Sequence, residues 1–334
     1  MMTNLLSAGA ANISFGANTS RSAAKKRCTP TELPSLRSRD YWPGPGTSRT
    51  TQSQYGGTAV SYKTILANFN FDFNGSAAAL MDFSVNLAGH FNAHLVGFCA
   101  ADITTPVGTP DGIMIDGETM RREREDVETR LTKLHHEFDA FAGTTTSHEW
   151  REAVVNPTRL LIESARVADL IVTGNNNSSE LIRPNRSINL GDLVLQAGRP
   201  ILVATQSAKR IFASPALVAW KDTREARRAV ADALPLLLQA SQVSVVTINR
   251  DADMLTQESI DDVTAFLLRH GIKARSEIIK DKHESESLIS FARQVNAELV
   301  VSGAYGHSRL KELIFGGVTR SLLNEDGFSR FMSS

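Results

Sequence analysis

The sequence predicts an α/β protein made of two tandem, doubly wound domains behind a disordered N-terminal segment, and three observations predict it. Short apolar runs alternate with stretches of helical period long enough to act as crossovers, which is the pattern of a parallel sheet covered by helices on both faces. The alternation restarts near residue 211. Finally, Ala168-Asp169-Leu170-Ile171-Val172-Thr173-Gly174 is matched by Ala297-Glu298-Leu299-Val300-Val301-Ser302-Gly303 at the same place in each series, as expected of two copies of one domain.

Residues 1–60 stand apart. They are rich in Ser, Thr, Gly, Asn and Pro, and their basic residues outnumber the two acids, Glu32 and Asp40. Without sustained periodicity they bury too little apolar surface to offset the entropy of ordering. A disordered tail or an upstream extension is favoured over a transit peptide, which has a similar composition. The first domain is placed at 62–206. Ile65–Ala67 reads as its first strand, followed by a helix with Leu80, Phe83, Leu87 and Phe91 on one face. His94–Cys99 is the second strand, and a Gly- and Pro-bearing loop spans 101–117. The next helix carries the stripe Val127, Leu131, Leu134, Phe138 and Phe141. A strand near Glu149–Val155, a helix from Thr158 to Val167 behind Pro157, and strands at Leu170–Val172 and Ile201–Val203 complete the series.

The second domain is placed at 211–332. Ala216–Trp220 is its first strand, and the following helix has Ala226, Val230, Ala233, Leu234 and Leu237 on one face, with Pro235 as a potential kink. Val243–Ile248 and Ala274–Ile279 read as strands flanking a helix at Ile260–His270. A helix from Ser285, the expected cap, to Val295 leads into the strand Leu299–Val301. The tail from Asn324 to Ser334 offers only Phe331 and Met332 to a final strand.

Composition narrows the function classes. The 334 residues are 42% hydrophobic and 22% charged with zero net charge, so nothing global points to nucleic acid or a membrane surface. No apolar run is long enough to span a bilayer. Cys28 and Cys99, the two cysteines, are too few for a disulfide framework and read as free thiols of a cytoplasmic protein.

The chemistry concentrates in Leu299–Leu323. A buried strand runs into Gly303, Gly306 follows, and Gly316-Gly317 precede Val318-Thr319, which begin a helix. Glycines let backbone N–H groups approach a ligand, and a helix start adds unpaired donors and the positive end of its dipole. The arrangement suits a phosphate. Ligands of such sheets sit at the carboxyl ends of the strands, so Lys221, Asp222 and Thr223, after the domain's first strand, join Gly303 as candidates.

The spacing Gly303-x2-Gly306-x9-Gly316, with Gly306-His307-Ser308-Arg309 within it, resembles the nucleotide loop of the universal stress protein family, and the likeness extends over roughly 62–332 as a tandem pair. The resemblance implies a five-stranded parallel sheet in each domain, dimer-like pairing of domains, and binding of an adenine nucleotide, ATP or ADP, in some members. Carried over, Gly303 and Gly306 lie against ribose and phosphates, and Gly316, Gly317, Val318 and Thr319 meet the phosphates at the helix start; His307 is a further phosphate donor. Three departures stand out. Gly317 replaces the hydroxyl residue expected after the last glycine, Lys221 falls where the family has an acid, and the last strand lacks its Pro-led apolar run. In the first domain Asn175–Ser179 follow Gly174 without a second glycine, and Asp192 beside Gly191 would repel phosphate, so that half reads as a pseudo-site.

No histidine gathers enough partners for a zinc site, so Mg would enter only with the nucleotide. The leading expectation is a stress-response protein in which ATP or ADP orders the loop from Ala304 to Phe315 and alters the surface offered to a protein partner. Two alternatives stay open: a scaffold acting through domain pairing without nucleotide, and a slow ATP hydrolase for which Asp222 is the one acid near the phosphates. With the dimer-like interface made internally, the chain is expected as a monomer or as a homodimer built on a further surface.

Overall fold

The structure, a computed structural model, describes residues 61–71, 77–103, 117–144, 146–175, 185–205, 211–304, 321–322 and 325–334. The expected disordered segment 1–60 lies outside them, as do Gly306, His307, Gly316, Gly317, Val318 and Thr319.

In the first half β1 (Thr64–Asn68), β2 (His94–Ala100), β3 (His148–Ala153), β4 (Leu170–Gly174) and β5 (Ile201–Ala204) alternate with α1 (Ala77–Phe91), α2 (Gly117–Ala142), α3 (Pro157–Ser164) and α4 (Leu190–Gln196). The second half repeats the plan with β6 (Pro215–Ala219), α5 (Arg224–Leu237), β7 (Gln242–Ile248), α6 (Met254–Arg269), β8 (Ala274–Ile279), α7 (Glu284–Gln294), β9 (Leu299–Gly303) and β10 (Ser329–Ser333). The repeated heptapeptides end as β4 and β9, with the same burial pattern along both strands. Apolar strands of this kind are buried on both faces, which is why they read as continuous hydrophobic runs.

The two five-stranded parallel halves are continuous. Strand order is β3-β2-β1-β4-β5-β10-β9-β6-β7-β8, all neighbours parallel except β5 and β10. There the strands run antiparallel, with Arg330 opposite Val203, Phe331 opposite Leu202 and Met332 opposite Ile201. The carboxyl edges of the two halves therefore face opposite ways along one sheet. On one face the core runs through both halves, from Tyr62, Phe91 and Phe138 to Ala233, Leu237 and Phe331. The other face carries two separate clusters, one under α3 and α4 and one under α7.

Further contacts tie the halves together. The Tyr62 hydroxyl donates to the Asp232 carbonyl (2.7 Å), and the Ser333 hydroxyl donates to the Asp232 carboxylate (2.8 Å). His90 stacks on Phe212 with centroids 3.7 Å apart. β10 itself is wholly buried even though three of its five residues are polar. Arg330 is fully enclosed, and its Nη1 donates to the carbonyls of Leu322 (3.0 Å) and Glu325. Burial pulls its pKa down to about 10 against the opposing pull of Asp326 and Glu325.

Several expected details change. Phe141 is exposed, and Ala142 closes the α2 stripe instead. α6 begins at Met254, six residues before the expected start at Ile260, because Asp253 and Thr256 form a capping box. Ser285 is no cap: α7 starts at Glu284 behind His283. Pro235 lies inside α5 without ending it.

Candidate functional site

In the second half β6 lies between β9 and β7, so the chain leaves β6 toward one side and returns on the other. That is a topological switch point, and its crevice opens at the carboxyl ends of β6 and β9. Lys221, Asp222 and Thr223 leave β6 there, and Gly303 ends β9 beside them. The structure thus places these four predicted residues at one edge.

Gly303 meets the start of α5 directly. A Cβ on it would lie 2.5 Å from the Ala226 nitrogen and 2.7 Å from the Glu225 carbonyl carbon. Packing alone demands glycine at this position. The counterpart Gly174 is under no such pressure, since the nearest atom to its Cβ would be Leu80 Cδ2 at 3.5 Å.

Each of the three residues after β6 has a local partner. Thr223 is the N-cap of α5, its Oγ1 accepting from the Ala226 N–H at 3.2 Å. Asp222 turns to Arg227 (3.2 Å), both being well exposed. Lys221 reaches Glu284 at the first turn of α7 (3.3 Å). These exposed pairs are weak and rearrange easily around a ligand.

Glu225, Glu284 and Asp281 also shape this edge and escaped the sequence reading. Glu225 is nearly buried in the first turn of α5. Burial pushes its pKa up, but its own backbone N–H, the Arg224 guanidinium and the Thr223 hydroxyl outweigh that and hold it below the ordinary value. An ionised carboxylate therefore satisfies the α5 N-terminus, where a phosphate would otherwise be drawn. Asp281, before α7, is held low by hydrogen bonds from the Ser287 hydroxyl and the His283 N–H. The detectable signal for Glu225 was Thr-Arg-Glu ahead of an amphipathic run, an N-cap with a first-turn acid.

The first half presents a different edge. Asn175, just past β4, donates to Asp326, which arrives from the approach to β10. Arg186 is paired with Glu123 (2.9 Å) and lies over the Phe71 ring at 5.2 Å. Asp192 sits in the first turn of α4, where Asn189 caps its N–H. Carboxylates thus stand beside the end of β4 and in the first turn of α4. Among the described residues no three His, Cys, Asp or Glu side chains are placed to hold a metal, and no helix is long and apolar enough to cross a membrane.

The comparisons with known proteins agree with the architecture. A universal stress protein from Archaeoglobus fulgidus DSM 4304 superposes with a TM-score of 0.62 at 13% identity, over 81% of this chain and 96% of its own. A functionally unknown protein of Pseudomonas aeruginosa PAO1 gives 0.50 at 14%, over 81% and 92%. At these identities the likeness is one of fold. A universal stress protein solved in complex with cAMP superposes with a TM-score of 0.30 at 21% identity, over 44% of this chain and 99% of its own. A search of curated proteins found no match. The family model described as the universal stress protein family matches residues 214–325, which span β6 to the approach to β10. The chain therefore carries a domain of the universal stress protein family in its second half.

Proposed function

We propose that the protein is a stress-response protein that binds an adenine nucleotide, ATP or ADP, at the carboxyl edge of β6 and β9. Occupancy changes the surface offered to a protein partner. The observation that carries this reading is the switch point between β6 and β9, where Lys221–Thr223 and Gly303 come together. Lys221 and Asp222 are exposed there and offer a donor and an acceptor to the nucleoside, while the phosphates fall to Gly306, His307, Gly316, Gly317, Val318 and Thr319. The ionised Glu225 favours this division, because it repels phosphate from α5. Mg would enter with the nucleotide. Replacing Gly306 with Trp tests the reading: titration with ATP should show binding lost while the circular dichroism spectrum is unchanged. Unaltered affinity in that variant removes it.

One observation favours a second reading, a scaffold that binds no nucleotide. The missing Cβ of Gly303 is already explained by its contact with α5, so this glycine needs no ligand. A hydrolase finds less support, since Asp222 is directed to Arg227; turnover that vanishes in Asp222→Asn would revive it.

A further inference from the structure

The sheet has two outer strands, β3 and β8, and they handle their charges differently. On β3 the charges are satisfied within the chain: Arg151 pairs with Glu149 (2.6 Å), Trp150 Nε1 donates to Glu152 (2.7 Å), and His94 stands 3.8 Å from Glu149. On β8 the consecutive residues Arg275, Ser276 and Glu277 are all exposed. Among the described residues, Arg275 and Glu277 make no side-chain ion pair or hydrogen bond.

The main chain of β8 shows which groups are open. The Ile279 carbonyl accepts from the Asn249 N–H (3.0 Å), so Ile279 turns its backbone toward β7. In a parallel ladder alternate residues face the neighbour. Arg275 and Glu277 therefore share the inward direction, and Ala274, Ser276 and Ile278 turn their N–H and C=O groups outward.

We propose that β8 is the docking edge for a second copy of this chain, paired antiparallel about a two-fold axis through Ser276. In this register Ser276 faces itself, and Ala274 faces Ile278 of the second copy. These are the outward-turned residues, so they form the hydrogen-bonded pairs, giving about six inter-chain backbone bonds. Arg275 then faces Glu277 of the second copy, twice by symmetry, in the non-hydrogen-bonded positions where side chains come closest. Edge charges often serve only to repel another strand. A single sign would do that; here opposite signs flank the axis and are complementary to themselves. A two-fold contact also closes at two copies, whereas joining β3 to β8 would propagate.

Sedimentation velocity on the full chain over a range of concentrations tests this. The expected result is a dimer that dissociates on dilution. Arg275→Glu places like charges in both symmetric pairs and should weaken the dimer by about tenfold or more. The double exchange Arg275→Glu with Glu277→Arg should restore it, because it rebuilds both pairs in reverse. Glu149→Arg on β3 should leave the dimer unchanged. Both β8 positions are exposed, and an unchanged circular dichroism spectrum confirms the fold of each variant. A wild-type chain that stays monomeric, growth beyond two copies, a dimer indifferent to Arg275→Glu, or a double exchange that fails to restore it would each overturn the assignment.

Discussion

Gly303→Ala is the substitution for which the structure makes the sharpest demand. The new methyl group would sit 2.5 Å from the Ala226 nitrogen, 2.7 Å from the Glu225 carbonyl carbon and 3.0 Å from the Ala226 Cα. These are backbone atoms, so no rotamer change relieves the clash. Ordinary contact begins near 3.4 Å, and α5 or β9 has to retreat by about 1 Å, which typically costs about 1–3 kcal/mol. The Ala226 N–H is also the one that Thr223 accepts, and disturbing that cap adds about 1 kcal/mol. Gly174→Ala is the internal control. Its methyl group meets only Leu80 Cδ2 at 3.5 Å, and the loss of unfolded-chain entropy stabilises by about 0.4–1 kcal/mol. Urea unfolding followed by circular dichroism should separate the two variants by at least about 2 kcal/mol, or roughly 1 M in midpoint. Equal midpoints would refute the close packing of β9 against α5.

Three further outcomes are expected. Burial, then the charges of Asp232 and Asp169, raise the Tyr62 phenol well above 10.0. The folded state keeps a proton that the unfolded chain releases, so this contribution is complete below pH 10 and is lost as pH rises beyond it. Tyr62→Phe should therefore cost about 1 kcal/mol at neutral pH through the lost bond to Asp232 and should flatten the alkaline decline seen in pH-dependent thermal melts. Arg330→Ala should destabilise by about 3 kcal/mol or more in denaturant titration, since it opens a cavity in the central strand and strips the donor from the Leu322 and Glu325 carbonyls. Thr223→Ala should cost about 1 kcal/mol by the same measurement and Thr223→Ser almost nothing, because a hydroxyl suffices for the cap.

The strands were legible because a parallel sheet buries both faces and writes its strands as apolar runs; β4 and β9 even share a repeated sequence. β10 was nearly invisible. Its burial depends on Arg330 having backbone carbonyls to receive its guanidinium, which no local pattern announces. The joining of the halves was expected only as a dimer-like pairing of domains; that it runs as one sheet through β5 and β10, far apart in sequence, no local pattern shows. α4 is only seven residues long and carries no full apolar stripe, so it went unseen. The exposed Met254 and Leu255 fall off the buried face of α6 and masked its true start. That Gly303 and Lys221–Thr223 fall at one edge of the sheet was readable from the alternation of strands and helices, which puts the residues after each parallel strand on the same edge. The acids that govern the local charge were not: Glu284 reaches Lys221 from an element 63 positions away, and Glu225 stays ionised through the hydrogen bonds and the Arg224 guanidinium that outweigh its burial.

The proposed function depends on a nucleotide at the carboxyl edge of β6 and β9. Its most direct test is mass spectrometry of small molecules released by denaturing the freshly purified chain, followed by titration of ATP, ADP and AMP. Near-stoichiometric adenine nucleotide is expected, or titratable binding that the Gly306→Trp variant abolishes. No retained nucleotide together with no binding at millimolar ligand would contradict it, and would leave Gly303 as a residue required only by its packing against α5.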